Sequence, residues 1–502
     1  MKKDFGLERG AGILCHISSL PNKYGIGSLG KEAYAFADFL KAAHVKYWQI
    51  LPLTQTGYGD SPYQSVSCIS GNPYFIDLEA LKDEGLLDET DLLACEAPAG
   101  DIDYGALYAS RYRALKTAYS RFNIRDEEFV KFVESGEFED YALFMSLKNR
   151  YSGTFDTFPE SYKYKDNLAI SEFKSAKYKS GFCFWQFLQF KFKEQWNKLK
   201  EYVNSLGIKI IGDIPLYVAY DSADVWAHPE LFQLDEDLKP VKVAGVPPDY
   251  FSKTGQLWGN PLYNWEVMAE NGYKWWIERI KHAAELYDVV RIDHFRGLDK
   301  YYAVPYGETT AEKGEWIKGP AMKLFDAVKK ELGEIPIIAE DLGITDEGVE
   351  KLREETGFPG MKIVLFAFDG KPDNDYLPQN MQENSVAYTG THDNATALGL
   401  FERMSDEQFK VFKKRLREAF ASEGVAYPFT TREQAARALC VCTMASPANV
   451  AVLPIQDLLG LNDGARMNVP STAQGNWRFR LEEMPDRKTA AVMRLMVKEY
   501  QR

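Results

Sequence analysis

Two things are scarce in this sequence: cysteines that could pair, and long apolar runs. The six cysteines stand at positions 15, 68, 95, 183, 440 and 442 of 502, without a C-x-x-C pair, which favours reduced thiols over a disulfide framework or a zinc site. No run reaches the roughly 18 apolar residues of a membrane span. Asp4, Glu8 and Arg9 interrupt the stretch where a secretory signal would need apolar residues. We therefore expect a soluble, cytoplasmic protein that does not enter a membrane.

Positive charge is also in the minority. The chain has 60 Lys and Arg against 73 Asp and Glu, a formal net charge of −13. Because phosphate backbones repel an acidic protein, nucleic acid is a poor candidate partner. With 45% hydrophobic and 26% charged residues, the chain has enough apolar material for a large core and too little charge excess to stay disordered.

What the chain does contain is a series of eight short apolar runs. Helical periodicity fills most of the gaps between them. Strand, helix and strand repeated eight times predicts an α/β fold, a closed parallel (β/α)8 barrel of the TIM-barrel type. The runs are 12–21, 47–53, 208–218, 288–295, 336–343, 361–368, 385–393 and 450–460.

The spacing of the runs predicts where extra chain is inserted. About 150 residues separate the second and third runs, where a plain βα unit needs about 30. We predict one catalytic barrel over 1–502, with mainly helical subdomains inserted at 70–205 and a lid or subdomain at 220–275. That lid includes a loop at 245–265 that is rich in Pro, Gly and aromatic residues. The roughly 40 residues after the last run are too few for a β-sandwich domain of about 100 residues.

Acidic residues stand at or just beyond the ends of four runs. They are Asp213, Asp293, Glu340 and Asp393. In a barrel of this kind the catalytic groups come from the carboxyl ends of several strands. An unpaired buried carboxylate is costly, so repeated placement at one rim indicates a function. Arg291 stands two residues before Asp293 and shares its face of the strand, where it can keep Asp293 ionised as a nucleophile must be.

Two carboxylates with opposed roles are what glycosidic bond chemistry requires. A separation of about 5–5.5 Å between them is typical of the retaining, covalent route. Neighbouring strands lie about 4.7–4.9 Å apart, so Asp293 and Glu340 at matching heights on the fourth and fifth strands are compatible with that route. The alternative is an ion-pair network of Arg291, Asp293 and Asp341 that only stabilises the rim of a barrel with another function.

Longer segments extend the pattern over essentially the whole chain. They are GYGDSPYQS (57–65), GNPYFIDL (71–78), IGDIPLYVAYDSADVW (211–226), GVPPDYFSKTGQLWGNPLY (245–263), VRIDHFRGL (290–298), IIAEDLG (337–343), YTGTHDN (388–394) and GNWRFR (475–480). On these segments the sequence resembles glycoside hydrolase family 77, the 4-α-glucanotransferases or amylomaltases, which are relatives of the α-amylases. Matched segments of this length are highly specific, whereas RIDHF alone would not be.

The resemblance implies a role for each site residue. Asp293 would be the nucleophile of a covalent glycosyl-enzyme intermediate, Glu340 the general acid/base, and Asp393 the third carboxylate, which grips hydroxyls of the distorted sugar. It implies contacts to the sugar or to these acids from Asp213, Arg291, His294, His392, Tyr58, Asp60, Ser61, Tyr250, Trp258 and Asn260. It also implies no metal and no cofactor, α-1,4-glucans and malto-oligosaccharides as donors, glucose or a glucan as acceptor, and a monomer or homodimer.

Transfer and hydrolysis pass through the same covalent intermediate and differ in what attacks it. A transferase must bind the acceptor and exclude water, and we expect the 245–265 loop, with Phe251 and Trp258, and the segment around Tyr58 and Asp60 to form the lid that does so. Two alternatives stay open: an α-amylase-like hydrolase with the same residues, and a non-catalytic barrel that binds sugar or a partner. The second is disfavoured because all three acids are present.

Overall fold

Eight parallel strands close into a barrel at the centre of the molecule, in the order β1-β12-β11-β10-β9-β6-β3-β2. The computed structural model describes residues 7–175, 179–248, 252–343, 346–422, 427–472 and 474–502. Its strands are β1 (Gly10–Leu14), β2 (Tyr47–Gln49), β3 (Lys209–Ile214), β4 (Lys242–Val246), β5 (Gln256–Pro261), β6 (Val289–Ile292), β7 (Lys300–Pro305), β8 (Glu315–Lys318), β9 (Ile337–Ala339), β10 (Gly360–Ile363), β11 (Ser385–Tyr388) and β12 (Val450–Pro454).

Helices surround the barrel and fill the long gap between β2 and β3. They are α1 (Lys31–Ala42), α2 (Leu78–Asp83), α3 (Glu89–Leu93), α4 (Tyr104–Arg121), α5 (Glu127–Glu134), α6 (Glu139–Tyr151), α7 (Glu160–Lys163), α8 (Asn167–Phe173), α9 (Lys179–Ser205), α10 (Ala223–Ala227), α11 (Trp265–Glu270), α12 (Lys274–Leu286), α13 (Met322–Leu332), α14 (Glu347–Thr356), α15 (Ala397–Arg403), α16 (Asp406–Ser422), α17 (Arg432–Ala445), α18 (Ile455–Leu459) and α19 (Arg487–Glu499).

Each of the eight predicted apolar runs overlaps a barrel strand, and the predicted (β/α)8 barrel is confirmed. Strands of a parallel barrel are buried on both faces and therefore appear in the sequence as continuous apolar runs. The runs are longer than the strands. The run at 12–21, for example, continues past Leu14 because Ile17 and Leu20 in the following turn are also buried.

The predicted helical insertion at 70–205 coincides with α2 to α9. The longest of these helices, α9, has 27 residues and buries a row of aromatic side chains that includes Phe187 and Trp196. It packs against α4, α5 and α6, and also against α1 and β3 of the barrel. The division of this segment into subdomains stays a prediction.

A second sheet stands beside the barrel, with four antiparallel strands in the order β5-β4-β7-β8. The sequence predicts a lid at 220–275 but no second sheet. Two of its strands, β7 and β8, lie beyond 275 in the segment between β6 and β9. β8, with the sequence EWIK, is exposed or half-buried throughout, so it lacks the apolar run that identified the barrel strands.

All six cysteines are free thiols, and five of them are buried.

Among the described residues, no helix combines the length and the apolarity needed to cross a bilayer.

Candidate active site

Strand register brings four of the predicted site residues, Asp213, Arg291, Asp293 and Glu340, to one part of the rim. β3, β6 and β9 are neighbours in the barrel, with Asp213 paired to Arg291 and Ile292 paired to Ala339. Asp293 and Glu340 each follow directly after the second pair, so they leave adjacent strands at the same height. This is the arrangement expected from the sequence. Asp213 differs, since it lies inside β3, one layer deeper than Asp293.

Arg291 connects the two aspartates. Its Nη1 donates to Asp213 Oδ2 at 2.6 Å and its Nη2 donates to Asp293 Oδ1 at 2.9 Å. The side chains of Arg291 and Asp213 are 4% and 1% exposed, whereas that of Asp293 is 28% exposed. The guanidinium therefore anchors Asp293 from below and leaves its second oxygen, Oδ2, outside this contact.

The alternative ion-pair network of Arg291, Asp293 and Asp341 is wrong for Asp341, which pairs with another arginine. Asp341 pairs with Arg353 at 3.3 Å and accepts a hydrogen bond from the backbone N–H of Met361. Its partners hold it to α14 and β10, so the Arg291 bridge belongs to Asp213 and Asp293 alone among these three acids.

The two neighbouring carboxylates differ in their affinity for protons. Burial raises the pKa of Asp293 to about 7; the charges of Asp213 and Asp393 add to the rise and Arg291 opposes it. Burial, and next the negative charge of Asp293, raise the pKa of Glu340 well above its usual range. Two carboxylates in one site do not ionise together readily. Since the guanidinium lies against Asp293, that residue loses its proton first and Glu340 keeps its own.

Glu340 is held by backbone amides. The N–H of His294 donates to Glu340 Oε2 at 2.7 Å, and the N–H of Leu342 donates to Oε1 at 3.2 Å. His294 has φ 50° and ψ 46°, the left-handed region that non-glycine residues adopt uncommonly and that is often found at functional sites. This conformation turns the amide that follows Asp293 toward Glu340. The main-chain amide of His294, which follows β6, thus positions the carboxylate of Glu340, which follows β9.

Asp393 lies on the opposite side of the rim, in the loop after β11. Its side chain is 44% exposed, and His392 Nε2 lies 3.3 Å from its Oδ1. Asn468 Nδ2 donates to the same oxygen at 2.6 Å, and Arg466 Nη2 donates to the main-chain carbonyl of Asp393 at 2.6 Å. A loop far along the chain therefore holds this acid in place.

The remaining predicted contacts lie in two segments. Trp258, on β5, meets the His294 ring edge to face with 4.7 Å between ring centroids, which places it beside the acids. Asn260 donates to the carbonyl of Val218 and accepts from Gln64 Nε2, so its amide ties β5 to the 57–65 segment.

For four other predicted contact residues, the structure shows only part of their surroundings. Ser61 Oγ accepts the N–H of Tyr63 at 3.2 Å, and Asp60 is half-buried with φ 59°. The side chain of Tyr58 and all of Tyr250 lie outside the described residues, as does Phe251 of the predicted lid. The sugar contacts of Tyr58, Asp60, Ser61 and Tyr250 stay predictions.

Two residues of the site, Tyr63 and Asn468, are not among those predicted from the sequence. Tyr63 donates its hydroxyl to Asp213 Oδ2 at 2.6 Å and stacks on His392 with 5.1 Å between centroids, so it connects the two sides of the rim. It lies in the matched segment 57–65, which was a usable signal. Asn468 lies 75 residues from Asp393, and nothing in the local sequence points to that contact.

No group of three or more His, Cys, Asp or Glu side chains in the described part of the chain is arranged to hold a metal ion. The barrel and its two carboxylates on adjacent strands define an enzyme that acts on glycosidic bonds. A family model described as 4-alpha-glucanotransferase matches residues 15–485, and the chain belongs to that family, glycoside hydrolase family 77. The predicted family is therefore confirmed.

Relatives match over nearly their full length. A 4-alpha-glucanotransferase of Clostridium butyricum is 47% identical over 93% of this chain and 95% of its own. One of Thermus thermophilus is 46% identical over 95% of both chains. The amylomaltase of Streptococcus agalactiae, solved in complex with acarbose, is 38% identical, covers 99% of this chain and 100% of its own, and superposes with a TM-score of 0.92.

Proposed function

We propose that this 4-α-glucanotransferase moves segments of α-1,4-glucan from a donor malto-oligosaccharide to the 4-hydroxyl of an acceptor glucose or glucan, with retention at the anomeric carbon. Family membership supports the activity. The complex of a related amylomaltase with acarbose supports a cleft for oligosaccharides. The observation that carries the residue roles is the pair of bonds from Arg291 to Asp213 and Asp293. The guanidinium stabilises the ionised form of Asp293, and the raised pKa of Glu340 keeps that residue protonated.

In the first half-reaction, Asp293 Oδ2 attacks the anomeric carbon of the donor. Arg291 holds the other oxygen, Oδ1, and so orients the attacking one. Glu340 gives its proton to the glycosidic oxygen, the bond from that oxygen to the anomeric carbon breaks, and the leaving chain departs with a new 4-hydroxyl. The product is a glycosyl ester on Asp293 and an ionised Glu340, which the amides of His294 and Leu342 stabilise.

In the second half-reaction the acceptor occupies the place of the leaving chain. Glu340 takes the proton of its 4-hydroxyl, the hydroxyl oxygen attacks the anomeric carbon, and Asp293 leaves as a carboxylate. Proton and charge return to their starting positions. Asp393, the most exposed of the acids, grips hydroxyls of the sugar ring while the ring flattens toward an oxocarbenium-like transition state.

Transfer requires that a sugar hydroxyl, not water, reaches the intermediate. Trp258 stands against His294 at the edge of the acids, and an aromatic face suits the apolar C–H face of a pyranose ring. An acceptor sugar placed there would fill the space from which water would attack. We assign the β4–β5 region the part of a lid in this step.

The test is incubation with maltotriose. The products are separated by chromatography while the total number of reducing ends is counted over time. We expect glucose and longer chains to form with no change in that number, because transfer breaks and makes one bond in each cycle. A steady rise in reducing ends would instead establish an α-amylase-like hydrolase. Unchanged maltotriose in the presence of added glucose would support a barrel that only binds sugar.

A further inference from the structure

A small cavity lies behind the acids, between the end of β3 and helix α12. The space open to the centre of a water molecule is about 20 Å³. Its lining includes Asp213, Arg279 and His282, together with Thr54 and Tyr63. Since about 10–15 Å³ of such space holds one water, the cavity has room for one or two. The reaction proposed above assigns this cavity no part.

Three polar atoms of the lining side chains have no hydrogen-bond partner among the described residues. They are Asp213 Oδ1, Arg279 Nε and His282 Nε2. Asp213 and Arg279 are 2% and 4% exposed. Leaving a buried polar atom without a partner is unfavourable, and proteins commonly satisfy such atoms with a buried water that makes about three hydrogen bonds. Three unpartnered atoms around one cavity match that requirement.

The hydrogen-bonding character of the three atoms selects the ligand. His282 Nδ1 lies 3.2 Å from Glu137 Oε1; because a carboxylate only accepts, Nδ1 carries a hydrogen, and in the tautomer that has its one hydrogen there Nε2 is an acceptor. Asp213 Oδ1 is also an acceptor, and Arg279 Nε is a donor. Two acceptors cannot bond to each other directly. A molecule with two hydrogens and a lone pair satisfies all three, whereas an anion is repelled by Asp213 and a cation by Arg279.

We propose that the cavity binds a water molecule that donates to Asp213 Oδ1 and His282 Nε2 and accepts from Arg279 Nε, and that His282 is thereby a positioning residue for the reaction. The water completes the hydrogen bonds of Asp213, whose other oxygen already accepts from Arg291 and Tyr63. An Asp213 fixed at both oxygens fixes the guanidinium that orients the nucleophile. This second part rests on the proposed function; the water site itself does not.

The proposal gives the helical insertion a connection to the reaction. Glu137 lies between α5 and α6, in the chain that separates β2 from β3. The contacts then run from Glu137 to His282, through the water to Asp213, and on to Arg291 and Asp293. Each step is a hydrogen bond or ion pair, and all but the last, from Arg291 to Asp293, join groups from different elements.

The direct test is a crystal structure of the wild-type protein at about 1.5 Å resolution. We expect a well-ordered water within about 2.7–3.2 Å of Asp213 Oδ1, Arg279 Nε and His282 Nε2. An empty cavity, or side chains that close it by direct contacts, would overturn the proposal. This readout does not depend on activity, so it stands even if the enzyme fails the maltotriose test.

The kinetic test separates the two ring nitrogens of His282. The amide of His282→Asn occupies the place of Nδ1 and reaches Glu137, whereas the amide of His282→Gln occupies the place of Nε2 and reaches the water. We expect kcat for maltotriose transfer to fall about fivefold to tenfold in H282N with KM unchanged, and to stay within about twofold of wild type in H282Q. His228→Gln is the matched control, because His228 is 43% exposed and pairs with Glu230 and Asp140, away from the cavity lining.

The opposite outcomes are equally clear. Equal kcat values for H282N, H282Q and wild type would show that His282 positions nothing. Losses that follow a fall in Tm in both variants would show a structural role for the Glu137 contact and contradict the positioning role of the water. An inactive wild type with an ordered water would overturn the proposed function and leave the water site in place.

Discussion

The two sides of the catalytic rim are built in different ways. On the side formed by β3, β6 and β9, Asp213 and Arg291 are almost fully buried and Asp293 is 28% exposed. On the side formed by β11 and β12, Asp393 is 44% exposed and is held by Asn468. We call these the buried side and the open side.

The difference fits the role proposed for each acid. The groups that exchange protons or form the covalent bond need pKa values set in advance, and burial with fixed partners sets them before substrate arrives. An acid that only grips sugar hydroxyls needs access, and the sugar itself completes its hydrogen bonds. The buried side is therefore organised by the barrel, and the open side by a loop that contacts it.

The largest effect is expected on the buried side, from removal of the proposed nucleophile. We expect Asp293→Asn to lower kcat for transfer by about 10,000-fold or more, because no oxygen is left to form the ester. Asp341→Asn is the matched control: Asp341 is buried beside Glu340 but bonds to Arg353 and the Met361 amide. It is expected to lose less than about tenfold. Similar losses in the two variants would contradict the assignment.

A second change tests whether the buried side sets the pKa of the nucleophile. Activity requires ionised Asp293, so the rate falls as the pH drops below its pKa of about 7. The negative charge of Asp213 contributes to that raised value, so Asp213→Asn is expected to move the acid limb of the kcat/KM profile to lower pH. The rate at the optimum falls as well, by about 10- to 100-fold, because Arg291 loses its charged partner.

The control for that profile is again D341N, since the charge of Asp341 acts on Glu340. Its acid limb is expected to stay in place. An acid limb that moves to higher pH in D213N would show that the charge of Asp213 does not raise the pKa of Asp293.

On the open side the expected effects are smaller. Asn468→Ala removes the hydrogen bond to Asp393 Oδ1 and is expected to lower kcat/KM about fivefold to tenfold, whereas Asn468→Asp places a like charge there and is expected to lower it further. Asn476→Ala is the control, because Asn476 accepts from the Val469 amide in the same loop without touching Asp393. An equal loss in N476A would mean that loop order alone is responsible.

The smallest effect concerns the support beneath the Asp393 loop. Buried Asp457 accepts from the hydroxyl of Thr389 and from the N–H of Ala397, at the two ends of that loop. Burial raises the pKa of Asp457 to about 6. The folded state thus binds the proton more tightly than the unfolded state, whose pKa is about 3.9. Folding stability therefore falls as the pH rises from about 4 to about 6, by about 3 kcal/mol from this group.

Asp457→Asn removes that titration. The Tm of D457N relative to wild type is expected to rise by a few degrees between pH 4.5 and pH 8, measured by calorimetry at both values. A difference that does not change with pH, or one that falls as the pH rises, would show that Asp457 is not held in its protonated form by the fold.

Much of the buried side could be predicted because its residues are close in sequence to the strands that carry them. Arg291 lies on β6 and Asp293 follows the last residue of that strand, so the period of 2 places them on one face. Adjacent strands then bring Glu340 to the same height. The apolar runs locate the strands. Because barrel active sites lie at the carboxyl ends of the strands, the acids that follow these runs are then the candidate site residues.

The open side and the second sheet could not be predicted in the same way. Asn468 reaches Asp393 across 75 residues, and Tyr63 reaches Asp213 across 150. Neither contact leaves a local pattern. β5 and β8 consist mostly of exposed or half-buried residues, and hydrophobic periodicity does not mark them. β4 and β7 are mostly buried, but they pair in this separate sheet around a small core of Val243, Tyr302, Val304 and Ala311, so their short apolar runs do not reveal a second sheet.

The most direct test of the whole account is to trap the covalent intermediate. Glu340→Gln keeps the nucleophile and its Arg291 anchor but removes the base needed for the second step, so an activated donor such as an α-maltosyl fluoride should form the ester and stop. We expect mass spectrometry of the intact protein to show one added glycosyl group, and peptide mapping to place it on Asp293, with no adduct on the double variant that also carries D293N. An adduct on another residue, or transfer products from D293N at a rate near wild type, would contradict the account.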